Sequence, residues 1–223
     1  MKIYSCSLLS STNHQAEKLV LTNSSSLPFV VTSLKQYAGE GRKGEDYYCP
    51  EGGLWFTLVD KYRNNVGNRY SMLSAVILTE LLQEMHIKSE IKWPNDVLID
   101  QKKIAGIMTK IKTDYISIGV GINTNIHCFG SIADTCTSVL LETGKKIDNY
   151  QLLEKFGDKY QKAVINRETT IEKCREKLIW IGSRVSVQLA DKQIIRGIFR
   201  GITDEGFALI DQTIVCDGQL RLS

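Results

Sequence analysis

The chain reads as an α+β protein, a layer of strands with helices packed on it followed by a small β-barrel. Three observations predict this. Strand-like and helix-like runs come in blocks and do not alternate strictly. The clearest helical period, Leu73, Ile77, Leu81 and Met85 with Val76 and Leu78, stands between two groups of short apolar runs. Beyond Gly182 the runs are short and β-rich, with turn residues between them. The resulting division is a larger domain at 1–181 and a small barrel at 182–223.

The elements follow in order. Thr12 and Gln15 fit a capping box for a helix through Ala16, Leu19 and Val20. A strand is expected over 27–33, a mobile glycine-rich loop over 36–53 and a strand over 54–59. The 3.6-residue period gives a helix over 67–85. Strands are expected near 90–93, 97–100, 103–111 and 115–122, with Asp100-Gln101-Lys102 as the turn of a hairpin. Helices are expected over 149–164 and about 170–180. The last block gives strands at 185–189, 194–199, 207–210 and 213–216. These roughly forty residues are too few to bury a good core alone, so the barrel should dock on the larger domain.

Composition narrows the function. With 223 residues, 43% hydrophobic and 24% charged, this is an ordinary globular chain. A net charge of +3 without a basic run argues against nucleic acid as a partner. No apolar run approaches the ~18 residues of a membrane span, and the first residues make a poor signal peptide. Six cysteines without a CxxC pair, in a chain lacking an export signal, point to free thiols and the cytoplasm. His127, Cys128 and Cys136 match no common zinc spacing.

The most informative feature is Lys92-Trp93-Pro94-Asn95-Asp96, followed by Lys103-Ile104-Ala105-Gly106. A hairpin here would bring Lys92, Asn95, Asp96 and Lys103 together near strand ends. A solvated hairpin is the plain alternative. The rigid Trp93-Pro94 pair and Gly106 inside an apolar strand weigh against it, since such a glycine marks close approach of a ligand or backbone. A second feature is the loop Gln36 to Gly44, with Gly39, Gly41 and Gly44 around Arg42 and Lys43. Its amides and cations suit a phosphate, although most such loops are merely solvated. Ser11-Thr12-Asn13 reads first as helix caps, and Gly119-Val120-Gly121-Ile122-Asn123 as a strand end.

The Lys-Trp-Pro-Asn-Asp string and the Lys-Ile-Ala-Gly segment at this spacing resemble those of biotin protein ligases, and the likeness runs along almost the whole chain. That resemblance implies a mixed sheet with helices on one side and a C-terminal SH3-like barrel. It implies an enzyme that uses ATP and Mg²⁺ to activate biotin as biotinyl-5′-AMP. The biotinyl group then passes to a lysine of the biotin carboxyl carrier domain of a carboxylase. Ser11, Thr12, Asn13, Gln36, Gly39, Gly41, Lys103 and Gly106 would line the biotin pocket. Arg42, Lys43, Gly44, Tyr47, Lys92, Trp93, Asn95, Asp96, Gly119, Gly121 and Asn123 would face the nucleotide, with Arg221 as a further contact. Lys103, Arg42 and Asp96 would carry the chemistry, and Asn95 and Asp96 would place the metal.

The motifs begin at Ser11, so on this reading no DNA-binding domain is expected ahead of them, and sheet edges that often pair between subunits in this family would allow a homodimer. The loop departs from the family's Gly-Arg-Gly-Arg-Arg-Gly-Arg pattern, with Glu40 and Glu45 where arginines are usual. With anions there the adenylate would be held less tightly, and restoring arginines at 40 and 45 should slow its release; the alternative is that Glu40 pairs with Lys43 and orders the loop differently. A lipoate or octanoate ligase or transferase, or a non-catalytic biotin-binding homologue, remains the alternative.

Overall fold

Alternating burial along the strands fixes which side of the sheet each residue serves, and that alternation places the site. The computed structural model describes residues 1–63, 67–164 and 167–223, without the side chains of residues 43, 67 and 167–169. In chain order come β1 (Lys2–Leu9), α1 (Thr12–Leu21), β2 (Phe29–Gln36), β3 (Leu54–Lys61), α2 (Gly67–Glu84), β4 (Glu90–Lys92), β5 (Asp96–Ile99), β6 (Lys102–Ile111) and β7 (Tyr115–Ile122). Three helices follow: α3 (Val139–Thr143), α4 (Asn149–Ala163) and α5 (Arg167–Lys177). The chain ends in β8 (Arg184–Gln188), β9 (Ile194–Ile202), β10 (Ala208–Ile210), β11 (Thr213–Val215) and β12 (Gln219–Leu222).

The first seven strands form one sheet, ordered β1-β2-β3-β7-β6-β5-β4, and the last five form a second, ordered β11-β10-β9-β8-β12. β1 and β2 run parallel while the other neighbours in the large sheet are antiparallel, so that sheet is mixed. Val30, Leu58, Ile118 and Val120 join the main core with residues of α2, α4 and α5. Phe56 meets Phe156 there, edge to face at 5.0 Å. Phe29, Val31 and Val59 pack with Ala16 of α1 in a separate cluster. They alternate with the core residues, so α1 lies on the opposite face. Helices therefore cover both faces, a correction to the one-sided arrangement expected. Because α1 covers one end of its face, the region around Trp55, Gly119 and Gly121 is left to form a cleft.

The small sheet docks rather than floats. Trp93, 1% exposed, donates from Nε1 to the Gly206 carbonyl at 2.9 Å. Asn68 donates to the Cys216 carbonyl at 2.8 Å, and Arg175 pairs with Asp204 at 2.6 Å. Val187, Phe199, Ala208 and Leu220 of the small sheet belong to the same buried cluster as Trp93 and Leu58. No described helix is long and apolar enough to cross a membrane.

Several local expectations change. The helix cap is Ser11, whose Oγ accepts from the Asn13 amide at 3.2 Å; Thr12 lies within the helix. The β5–β6 turn is two residues, Asp100 and Gln101, at φ 46° and 68°, as a type I′ turn demands, and Lys102 joins the strand. α5 ends at Lys177 because the chain turns extended there: the Ile179 amide donates to the Ile91 carbonyl, and Trp180 has φ 65°. The loop after β2 is structured, with a 3-10 turn at Arg42–Gly44 and a bridge between Glu40 and Asp46. β1, α3 and β12 were not expected.

Replacing Trp93 with Phe should cost about 1 kcal/mol, because the buried Gly206 carbonyl loses its shorter donor and keeps only Asn68 Nδ2 at 3.4 Å. Urea unfolding would read this; unchanged stability would mean that the indole bond does not tie the sheets.

Candidate active site

One register line crosses all seven strands: Cys6, Ser33, Trp55, Gly121, Gly106, Asp96 and Lys92 stand opposite one another in turn. The two glycines give that line a floor without side chains. A Cβ on Gly121 would lie 2.6 Å from the Tyr47 ring, and one on Gly106 would lie 2.9 Å from Lys103 Cε and 3.1 Å from the same ring. One row along, a Cβ on Gly119 would lie 2.8 Å from Asn13 Oδ1. In this structure the glycines therefore admit Tyr47, Lys103 and Asn13, and a ligand reaching the floor has to move them. Tyr47 donates to the Gly121 carbonyl at 3.4 Å. Burial, then the Asp96 charge, holds its phenol well above its ordinary pKa.

Lys103 reaches the line through a bulge. β5 and β6 shift register between Val97 and Leu98, leaving Ile104 unopposed, and Lys103 is turned to run over Gly106. Its Nζ lies 2.6 Å from Asp96 Oδ1 and 5.3 Å from the centre of the Tyr47 ring. The main chain is pinned as well: the Lys103 amide donates to Thr135 O at 2.7 Å, and its carbonyl accepts from the Thr137 amide at 3.0 Å.

Arg42 closes the cleft from above. Nη1 donates to Asn95 Oδ1 at 3.2 Å and to the Gly218 carbonyl at 3.4 Å, while Nη2 pairs with Asp217. Burial lowers its pKa, offset in part by Asp96 and Glu45, and a guanidinium keeps its charge regardless. Burial likewise lowers the pKa of Lys92; Asp96 opposes this, and Lys103 and Arg221 add to it. The cavity measures ≈ 310 Å³, and four cations (Arg42, Lys92, Lys103, Arg221) line it with four carboxylates (Glu40, Glu45, Asp46, Asp96).

The cleft gathers Thr12, Asn13, Gln36, Gly41, Arg42, Tyr47, Lys92, Trp93, Asn95, Asp96, Lys103, Gly106, Gly119, Gly121 and Arg221. Other expected residues stand elsewhere. Ser11 is buried as the helix cap, Gly39 packs under Tyr47 and Cys49, and Gly44 sits at φ +77° in the turn. Asn123 is buried, and its amide donates to the carbonyls of Lys103 (3.2 Å) and Thr137 (3.0 Å). No amide hydrogen is left for a triphosphate. The Lys43 side chain lies outside the described residues. Gln36 is in place but engaged: it accepts from the Thr12 amide at 2.6 Å and donates to Cys49 Sγ at 3.0 Å. Sequence reasoning missed Trp55, Cys49, Gln219 and Leu220. Strand alternation on β3 could have found Trp55; nothing local marks the others.

Two family models match the chain. The biotin/lipoate A/B protein ligase family covers residues 4–123, which hold nearly the whole cleft. The chain belongs to that family. The biotin protein ligase C terminal domain matches residues 180–213. Among curated relatives, the bifunctional ligase/repressor BirA of Bacillus subtilis is 30% identical over 92% of this chain and 67% of its own length. The biotin–[acetyl-CoA-carboxylase] ligase of Paracoccus denitrificans is 27% identical over 90% of each chain. Biotin protein ligase from Aquifex aeolicus, solved with biotin and ATP, superposes with a TM-score of 0.86 at 24% identity, covering 100% of this chain and 99% of that one. That likeness establishes the fold of this family member.

The thiols give a direct check. Burial pushes Cys49 and Cys174 up to about 12, whereas Cys128 and Cys216 are exposed. A raised pKa leaves little thiolate, so at about pH 8 iodoacetamide should alkylate Cys128 and Cys216 first and spare Cys49 and Cys174 in the folded protein. Peptide mapping would show it; early labelling of Cys49 would mean the cleft wall is open.

Proposed function

We propose that this chain is an ATP-dependent biotin protein ligase. It activates biotin as biotinyl-5′-AMP and passes the biotinyl group to one lysine of a biotin carboxyl carrier domain. The observation that carries this reading is the Lys103–Asp96 pair standing on a glycine floor beneath Arg42. Thr12, Asn13, Gln36, Gly41 and Gly106 serve biotin, and Arg42, Lys92, Trp93, Asn95, Asp96, Gly119 and Gly121 serve the nucleotide, with Lys103 between them. A ligase domain at 1–181 and a barrel at 182–223, which lends Gln219, Leu220 and Arg221 to the cleft, complete the assignment. The match to a biotin protein ligase C-terminal domain favours biotin over lipoate.

Biotin's carboxylate is ionised near neutral pH, so no base is needed for its attack on the α-phosphorus of ATP. A new O–P bond forms, pyrophosphate leaves, and the barrier is the meeting of two anions. Lys103 and Arg42 answer it by placing positive charge where phosphate oxygens gain negative charge. In the second step an amine attacks the mixed anhydride and AMP leaves. The acceptor lysine, with a free pKa of ~10.4, must first lose a proton, and Asp96 is the carboxylate assigned to take it.

Mg²⁺ is part of the reading. Among the described residues no cluster of three metal-ligating side chains occurs. Asn95 Oδ1 is already engaged by Arg42. The donor set fits an ion carried by the nucleotide's phosphates with Asp96 as its protein contact. When bound, it would neutralise phosphate charge. Nucleic acid and membrane have no place in this reading, and the compartment is the cytoplasm. Leu178 and Ile179 cover the β4 edge of the sheet, which leaves β1 as the edge for a homodimer.

The test combines protein, ATP, Mg²⁺, biotin and a recombinant carrier domain, with the carrier weighed by mass spectrometry and a parallel reaction of lipoate with a lipoyl domain. A biotinyl gain on one lysine is expected. Lys103→Ala should slow adenylate formation ~10²–10³-fold in a folded protein. Near-normal output from that variant would remove Lys103 from the chemistry, and lipoyl transfer would replace the reading.

A further inference from the structure

We propose that Glu40 and Glu45 are positioning residues that staple the glycine-rich loop across the cleft. A bound adenylate is then retained by closure of the loop where an arginine would retain it by charge. What the loop encloses rests on the ligase reading; what the glutamates touch does not.

Each carboxylate has found a partner on a different wall. Glu40 Oε2 accepts from Lys110 Nζ of β6 at 2.7 Å, with His14 Nε2 of α1 at 3.7 Å. The pairing of Glu40 with Lys43 expected from sequence lies outside the described residues; the partner described for Glu40 is on β6. Glu45 Oε1 accepts from Gln219 Nε2 of β12 at 2.7 Å, and Gln219 Oε1 in turn accepts from Arg221 at 3.1 Å. Between them Arg42 holds Asn95, Asp217 and the Gly218 carbonyl. Inside the loop the Gly41 amide donates to Glu45 O at 2.7 Å and the Tyr47 amide to Gly39 O at 2.9 Å. The loop is therefore a closed hairpin fastened at three points: to β6, to the β4–β5 turn and to the small sheet.

Charge supports the same conclusion. A bare carboxylate beside a phosphate would repel it, but Glu40 sits against a lysine from outside the cavity and contributes little net charge. Arg42, Lys92, Lys103 and Arg221 still line the cleft. A cation at position 40 would face Lys110 and His14 and lose its tie to β6. The arginine substitutions that the loop pattern recommends should therefore hasten release, the reverse of the expectation from sequence.

The measurement is amide hydrogen exchange of residues 39–47 in the ligand-free protein, alongside release of biotinyl-adenylate from loaded protein. Four proteins are compared: wild type, Glu40→Lys, Lys110→Glu and the charge-swapped double variant. Each single change should speed both loop exchange and release by roughly three- to five-fold, the upper end for a partly exposed ion pair. The swap should return both to within about two-fold of wild type, which a loss of bulk structure would not do. Glu45→Arg should behave likewise and be rescued by Gln219→Glu. Slower release from Glu40→Lys, or a swap as fast as the product of its singles, would overturn the proposal. Loop exchange needs no biotin, so a wild type that makes no adenylate would sink the ligase reading and leave the staple to be decided by exchange.

Discussion

Gly106 stands directly opposite Gly121, and the cleft depends on that registration. Two neighbouring strands lack side chains at the same point of the same face. Tyr47 can therefore lie flat on the sheet, and Lys103 can cross Gly106 to reach Asp96. Shift β6 by one residue and Gly106 leaves the row, the apolar face turns outward, and the Lys103–Asp96 contact is lost. The bulge at Ile104 serves the same end, since it turns Lys103 toward the cleft just before the buried run Ile104 to Met108. Close packing then extends the constraint upward: Tyr47 on the floor sets where the glycine loop begins to rise, and Arg42 caps it.

The Lys-Trp-Pro-Asn-Asp string does two jobs at once. Lys92 and Asp96 occupy the register line as partners, so they face the cleft. Trp93 borders the cleft as well, and its indole is buried in the core shared with the small sheet. Asn95 joins these functions: its Oδ1 holds Arg42, while its Nδ2 donates to the Ile107 carbonyl. A turn that docks the second sheet also positions the loop arginine, which is a physical reason for the small sheet to contribute β12 to the cleft wall. Placement of the loop is in this sense a property of both sheets.

Much of this was legible from residue pattern. The period in α2 and the apolar runs of β3, β6 and β7 are strong local signals, and the loop and string motifs marked most of the cleft. What stayed hidden is tertiary. β1 is an edge strand with serines among its half-exposed positions, so it carries little alternation. Ser11 and Thr12 are both good caps, and the choice between them is made by burial of Thr12 under Thr57, whose hydroxyls lie 2.9 Å apart. Asn123 alone reads as a strand end, and only the family resemblance makes it a nucleotide contact. Its fate is set by the segment carrying Thr135 and Thr137, which folds back along Lys103. The partners of Glu40 and Glu45 are 70 and 174 residues away, beyond any local signal.

The central claim is that biotin and ATP meet over the glycine floor, with Lys103 and Arg42 as the cations between them. A crystal structure with biotin and a non-hydrolysable ATP analogue tests it most directly. The account predicts Tyr47 displaced from Gly121, and Lys103 Nζ and the Arg42 guanidinium within hydrogen-bond reach of the biotin carboxylate and the α-phosphate. Ligands bound with Tyr47 still flat on the floor, or with Lys103 turned away from both reacting groups, would contradict it.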